Sequence, residues 1–381
     1  MNAQLPSTGL QLQSTVRSEG VLELALVDVE VPRPGPDQVV IRVEGTPINP
    51  SDLVLLLASA DPGTIEQGGT ARLPRLTMPV PQASLAGLAA RLDKPMPVGN
   101  EGAGVVVAAG ESAGAQRLLG HTVAARGGGM YAQFRCVEVD KCLVLPPGTT
   151  PQQGASACVN PLTALGMVET MRSEGHSAIV HTAAASTLGQ MLQKVCSADG
   201  IPLVNVVRRP EQAQLLRSIG ATHVIDSSSA SFEQDLLDAI AATGATLAFD
   251  AIGGGTLAGR ILSAMEAVLR GRMTEYNRYG SSVHKQVYVY GGLDRRPIEI
   301  TRDVGMAWGV GGWLLPLFLQ RVDGPTRARL AARVAAEIRT TFASRYARVV
   351  SLAEALQPPE IARYAKTSTG EKYLIDPSRG A

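Results

Sequence analysis

The chain has 381 residues, 45% of them hydrophobic and 4% aromatic, and its 35 Lys and Arg nearly balance 34 Asp and Glu. That length fits two domains, each large enough to bury its own core. So even a charge balance argues against a nucleic-acid partner or an acidic membrane surface, and so few aromatics leave no stacking platform for bases.

The first residues, MNAQLPSTGLQLQS, lack a basic segment leading into an apolar one, so no secretory signal is expected. No uninterrupted apolar run reaches the roughly 18 residues of a membrane span, and a cytoplasmic location is the expectation. Cys136, Cys142, Cys158 and Cys196 form no C-x-x-C pair, which disfavours a zinc ribbon and a disulfide framework. His121, His176, His181, His223 and His284 are scattered without metal-ligand spacing.

In chain order, residues 11–46 alternate apolar and polar. Leu22, Leu24 and Leu26, then Val39, Ile41 and Val43, predict strands with one buried face, separated by the turn Pro32-Arg33-Pro34-Gly35-Pro36. Leu53 to Leu57 is a short apolar segment. Residues 58–97 are broken by glycines and prolines, with a short helix expected from Ser84 to Leu92. So long a connection is read as a lid or binding loop, with disorder as the alternative. Glycine turns at Gly99 to Gly104 and Gly127 to Gly129 feed further strands, and Pro146-Pro147-Gly148 marks a boundary.

Beyond that boundary the pattern changes. Pro151 to Arg172 reads as helical with a break at Pro161. Strands are expected at 178–181, 201–207, 222–225, 247–251 and 286–291, alternating with helices at 211–219, 232–242 and 257–269. Such alternation implies a parallel, doubly wound sheet. Near the end, Thr326 to Phe342 predicts an amphipathic helix, and 345–350 and 373–375 predict strands returning to the first domain. The fold class is therefore α/β, with a β-rich domain beside a parallel-sheet nucleotide domain.

The most informative stretch is Ala178 to Pro210, AIVHTAAASTLGQMLQKVCSADGIPLVNVVRRP. It reads as a buried strand, a small-residue turn, a helix and a second strand. Such a turn lets backbone N–H groups approach a diphosphate at the helix N-terminus. Ser186, Thr187 and Leu188 are the candidates for that contact. Only Gly189 survives of a glycine-rich fingerprint, so a crossover without a ligand is the competing reading. A dinucleotide fold reads the adenosine ribose at the end of the second strand. Here that strand ends in Arg208 and Arg209, whose guanidinium forks suit a 2′-phosphate and point to NADP(H). A solvated strand end is the alternative.

A β-rich half, a central nucleotide domain and a C-terminal return resemble the medium-chain dehydrogenase/reductase superfamily. Its cofactor domain is inserted into a GroES-like catalytic domain. Motifs carrying the resemblance are Ile48 to Asp52 (INPSD), Gly99 to Gly104, Gly128 to Phe134, Gly220-Ala221-Thr222, Phe249 to Gly254, and Thr369-Gly370-Glu371-Lys372. The implied domains are 1–154 with 322–381 (GroES-like) and 155–321 (Rossmann, NADP-binding).

The resemblance also implies site residues. Zinc-dependent relatives would need ligands at Pro50 or Ser51 and at Asn100, neither of them of a type zinc prefers. Cys158 near the third position cannot make a site alone, so a zinc-independent enzyme is implied, and a zinc alcohol dehydrogenase is the least favoured reading. Val159-Asn160-Pro161-Leu162-Thr163-Ala164, Asn205 to Arg209 and Gly311-Gly312-Trp313 are similar to mitochondrial-type enoyl-thioester reductases. Implied cofactor contacts are Thr163, Ser186, Thr187, Leu188, Arg208, Arg209, Gly253, Gly254, Tyr290, Gly291 and Lys372, with a surface role open for Lys372. Asn49 is implied to bind substrate oxygen or ribose, or merely to form a turn. Tyr131 is a candidate proton donor or a packed tyrosine. Asn100, Trp308 and Trp313 are implied to line the substrate pocket. The implied activity is NADPH-dependent hydride delivery to a quinone, enone or enoyl thioester by a homodimer formed through the 304–319 edge. A crystallin-like, NADPH-binding protein without activity is the alternative.

Overall fold

The computed structural model describes residues 5–366, 370 and 372–380, so Thr369 and Glu371 of the closing motif lie outside the described residues. In chain order the strands are β1 (Thr8–Val16), β2 (Val21–Glu30), β3 (Gln38–Ile48), β4 (Glu66–Gly69), β5 (Pro74–Pro79), β6 (Met96–Pro97), β7 (Glu101–Ala109), β8 (Thr122–Arg126), β9 (Phe134–Glu138), β10 (Cys142–Val144), β11 (Ile179–His181), β12 (Leu203–Val207), β13 (His223–Asp226), β14 (Leu247–Asp250), β15 (Lys285–Val289), β16 (Trp308–Gly312), β17 (Arg348–Val350) and β18 (Tyr373–Ile375). They fall into two compact units, Met1–Val159 with Ala331–Ala381, and Asn160–Leu330.

The first unit holds two sheets. One has the order β4-β5-β2-β1-β6; the other runs β10-β8-β7-β3-β18-β17, with β9 also paired to β3. The alternation in β2 does what the pleat requires. Leu22, Leu24 and Leu26 are at most 2% exposed and sit opposite Val16, Ser14 and Leu12 of antiparallel β1.

Residues 58–97 are neither a lid nor a disordered loop. β5 pairs antiparallel with β2, setting Leu76 against Leu24 and Met78 against Leu22, both buried in one core cluster. Arg91 then ties the segment down, donating to the Leu55 carbonyl (3.0 Å) and to Ser14 Oγ (3.0 Å). The alternation Leu76-Thr77-Met78 was the available signal, and the surrounding prolines and glycines obscured it. The apolar segment at 53–57 belongs to a helix, Pro50–Leu57. The stretch expected as one short helix is split into Gln82–Leu85 and a 3₁₀ turn, Ala86–Arg91.

The second unit is a six-stranded sheet ordered β13-β12-β11-β14-β15-β16, with every neighbouring pair parallel. The order in which strands are added reverses between β11 and β14, the switch point where open α/β sheets bind ligands. The break near Pro161 falls earlier than expected. Helices Pro151–Gly154 and Asn160–Ser173 leave Pro161 in a first turn, where its missing N–H costs nothing. The last long helix is Gly324–Glu337, ending short of Phe342. The apolar 304–319 stretch divides into β16 and a helix, Leu315–Arg321. Among the described residues no helix is long and apolar enough to cross a membrane.

Candidate functional site

In the second unit the chain leaves β11 at the switch point. Thr182 is fully buried, and its hydroxyl donates to Asp250 Oδ1 (2.6 Å) while accepting from the Ala251 N–H (2.8 Å). Asp250 in turn accepts from the N–H groups of Ile252 (2.9 Å) and Gly253 (3.1 Å). The exits from β11 and β14 are thereby fixed to each other. Ala183 takes the left-handed conformation, φ +49°, which glycine would hold at less cost. Ser186 caps helix Thr187–Asp199, its Oγ accepting from the Gly189 N–H at 3.1 Å.

Gly189 is the surviving fingerprint glycine for a steric reason. A Cβ there would lie 2.1 Å from the Ala184 carbonyl oxygen, so no other residue lets the turn pack on its own helix. As the first two helical residues, Thr187 and Leu188 have N–H groups with no intrahelical acceptor, at the positive end of the helix dipole. That arrangement can hold an anion.

β12 is buried along its whole length, and Asn205 within it donates to Gln193 Oε1 at 2.7 Å. Arg208 and Arg209 follow immediately and are both exposed. The Arg208 backbone is held by Gln212 (3.1 Å) and Ser228 (3.3 Å), leaving its guanidinium outside these bonds.

His181 and Tyr290 stack at 5.7 Å with Nε2 and the phenol oxygen 2.7 Å apart. Burial pushes the imidazole down to about 3, so it is neutral at ordinary pH, and its Nδ1 is sealed without a partner. Gly253, Gly254 and Gly291 have packing reasons of their own. A Cβ on them would come within 2.6, 2.4 and 2.5 Å of backbone oxygens of Gly291, Arg296 and Ala251. Thr163 is buried in the first turn of its helix.

Both tryptophans expected at a substrate pocket lie in the second unit. Trp313 is 9% exposed, donates from Nε1 to Thr170 Oγ1 (3.0 Å), and packs edge-on against Phe249. Trp308 opens β16 and packs against the buried cluster of the second unit. Trp313 is a core residue of this unit, and Trp308 is half-buried on its edge strand.

In the first unit, Asn49, Asn100, Tyr131 and Lys372 come together around two carboxylates, Asp52 and Glu101. Glu101 is fully buried and accepts from Asn49 Nδ2 (2.9 Å) and from the N–H groups of Cys158 and Val159 (both 2.8 Å). Asp52 accepts from the N–H groups of Asn49 and Asn100 (both 2.8 Å). Burial raises its pKa to about 7, against the lowering effect of those two donors. Glu101 is raised too, again by burial, with Lys372 opposing.

Lys372 is a half-buried residue whose Nζ reaches no solvent, so it is not a surface lysine. Burial lowers its pKa, and the charges of Glu101 and Asp52 oppose that shift. Antiparallel pairing of Tyr373 with Ile48 is what brings it beside the 49–52 turn. Tyr131 is completely buried and donates to the Pro47 carbonyl at 3.2 Å. Toward solvent the cluster presents Ser51 and Asn100, joined by a 3.0 Å bond from Asn100 Nδ2 to Ser51 Oγ.

Asp52 and Glu101 were not singled out from sequence. Their signal was present, since each is the only acidic residue in its motif, INPSD or GNEGAG, but nothing local reveals that both are sealed. Among the described residues no three His, Cys, Asp or Glu side chains gather as a metal would require. Cys158 is buried, which pushes its thiol pKa up and makes it a poor nucleophile.

No family model matches the sequence. The chain is 31% identical over 210 residues to the mitochondrial enoyl-[acyl-carrier-protein] reductase of Xenopus tropicalis, covering 53% of this chain and 51% of that protein. It is 27% identical over 225 residues to the synaptic vesicle membrane protein VAT-1 homolog of Mus musculus, covering 58% and 48%. The chain therefore spans about half the length of the curated relatives it matches. A solved Mesorhizobium loti structure, assigned as an NADPH:quinone reductase, aligns with TM-score 0.71 and 26% identity over 98% of this chain and 100% of its own. A mutant form of enoyl thioester reductase from Candida tropicalis aligns with TM-score 0.66 and 18% identity over 97% and 99%, a likeness of fold.

Proposed function

Since the chain belongs to the medium-chain dehydrogenase/reductase superfamily, we propose that it is a zinc-independent, NADPH-dependent reductase. Its acceptor is a quinone or the activated C=C bond of an enone or enoyl thioester. The carrying observation is the Ser186-capped turn at the sheet's switch point, with the N–H groups of Thr187 and Leu188 open to a diphosphate. On the adjacent strand the exposed Arg208 and Arg209 offer a 2′-phosphate two guanidinium forks, where an acidic residue would repel it. Thr163, Gly253, Gly254, Tyr290 and Gly291 complete the cofactor set in this reading. Lys372 stays in the set, since its Nζ is buried with no hydrogen-bond partner among the described residues.

The bound nicotinamide supplies the hydride, and the chain's task is to orient it and stabilise the charge left on the acceptor. Addition to a conjugated C=C or a quinone puts that charge on an enolate or quinol oxygen, which hydrogen-bond donors stabilise without a metal. We assign that contact to Ser51 and Asn100, the polar groups that the Asp52–Glu101 cluster turns toward solvent. Asn49 and Tyr131 act as framework in this reading, since each has its polar group engaged and sealed. An amide at Asn100 and Pro50-Ser51 in the first loop suit a zinc-free site. The names of the relatives, enoyl reductases and quinone reductases, support the same acceptor range.

The outer edge of β16 pairs with nothing among the described residues, and Met306, Leu314 and Leu317 beside it are 73%, 54% and 48% exposed. We propose that a second copy covers it, giving a cytoplasmic homodimer. Leu314→Glu with Leu317→Glu should then halve the mass seen in sedimentation, and an unchanged mass would contradict the dimer edge. The sealing of Tyr131 favours one competing reading, a protein that binds NADPH without turnover. Steady-state NADPH oxidation with a panel of quinones and a crotonyl thioester separates the two. Turnover of either class supports the reductase, and NADPH binding without turnover of any acceptor refutes it.

A further inference from the structure

A cleft of about 310 Å³ opens on the first unit beside the three-glycine turn. Its walls carry Arg33 from the β2–β3 connection, Arg135 and Glu138 from β9, and Lys141, with Gly127 at its edge. Three cations thus face one carboxylate. Glu138 is already engaged by Gln38 Nε2 at 2.6 Å. Arg135 donates Nε to the Gly128 carbonyl (2.8 Å), which aims the fork and leaves its two terminal nitrogens outside that bond.

Arg42 and Arg72 of the same unit, though exposed, each hold a carboxylate at 2.9 and 2.8 Å. Arg33, Arg135 and Lys141 form no ion pair with a described residue, so the cleft keeps a local excess of two positive charges. Gly127, Gly128 and Gly129 have φ of +133°, +80° and +68°, backbone conformations that other residues rarely adopt, and a Cβ on Gly127 would touch the Lys141 stem at 3.4 Å.

We propose that this cleft binds a phosphate ester or diphosphate. A dianion matches the charge excess where a single carboxylate does not, and guanidinium forks fit tetrahedral oxyanions. The volume suits a small-molecule group rather than a folded partner. The Gly127 N–H bonds the Asn100 carbonyl at 3.3 Å, so one edge of the cleft is a single hydrogen bond from the Asn100 backbone. Resting on the reductase reading, the site makes the acceptor a thioester on a phosphorylated carrier rather than a free quinone. The binding of phosphate does not depend on that reading.

The test is calorimetric titration of inorganic diphosphate and of adenosine 3′,5′-bisphosphate into the full chain saturated with NADPH. Wild type is compared with Arg33→Ala/Lys141→Ala and with Arg208→Ala/Arg209→Ala. The expected result is binding that weakens with salt, falls about tenfold or more in the first variant and persists in the second. Diphosphate binding alone identifies a free-phosphate site, and tighter binding of the bisphosphate identifies a nucleotide tail; both support the cleft. No binding to wild type, or loss only in the second variant, overturns it. Kinetics then test the acceptor. The ratio of kcat/KM for crotonyl-coenzyme A over crotonyl-pantetheine, which lacks phosphate, should fall about tenfold in the first variant. Phosphate binding without thioester turnover would sink the thioester reading and leave the site standing.

Discussion

Asn49 donates its side-chain amide to Glu101 across 2.9 Å, and both residues are sealed from solvent. The bond joins the start of helix Pro50–Leu57 to the start of β7, and it anchors the group that exposes Ser51 and Asn100. Asn49→Ala removes one of three hydrogen-bond donors to a buried carboxylate, so a loss of about 1–3 kcal/mol in unfolding free energy is expected. Asn49→Asp should cost more at pH 8 than at pH 5, because it faces Glu101 with a second carboxylate. Chemical denaturation of the two variants at both pH values checks this.

Asp52 predicts how stability depends on pH. Glu101, Lys372 and Tyr131 are the titratable groups that face it. Its folded pKa, about 7, lies above the 3.8 of the free side chain, so the folded state binds the extra proton. The contribution is complete below about pH 4 and lost as pH rises through 7, on the order of 1–4 kcal/mol. Glu101 acts in the same direction. Asp52→Asn should therefore show a shallower fall in stability between pH 5 and pH 8 than wild type. Parallel curves would show that Asp52 is ionised throughout.

The nucleotide turn makes two opposite predictions. Gly189→Ala drives a methyl into the Ala184 carbonyl and should destabilise by about 1–3 kcal/mol, weakening NADPH binding as the helix is displaced. Ala183→Gly relieves the left-handed backbone and should be neutral to stabilising by about 1 kcal/mol, with NADPH binding retained. Thermal melts with and without NADPH distinguish them.

Lys285 and Glu266 form a fully buried pair at 2.7 Å, and Glu266 also accepts from the Ser281 N–H at 3.0 Å. Lys285→Ala strands that carboxylate and should cost about 3–5 kcal/mol. The double change Lys285→Met/Glu266→Leu should recover most of the loss, as denaturant midpoints would show.

The doubly wound half was legible because its periodicity is local. Strands β11, β12 and β14 are short, mainly apolar runs between turn signals, and Arg208 and Arg209 follow one of them. The first unit was harder to read. β5 hides among prolines, and its partner β2 lies some 50 residues earlier. The Asp52–Glu101–Lys372 cluster is assembled from three distant segments, and burial, the property that makes it notable, is not written in any of them. Trp313 poses a related difficulty. An aromatic in an apolar stretch looks the same whether it lines a pocket or fills the space beside Gly166.

The most direct test of the account is equilibrium binding of NADPH and NADH to the wild-type chain and to Arg208→Ala/Arg209→Ala. Wild type should bind NADPH about tenfold or more tightly than NADH, and the double change should remove the difference by weakening NADPH alone. Equal affinities in wild type, or a preference that survives loss of both arginines, would contradict it.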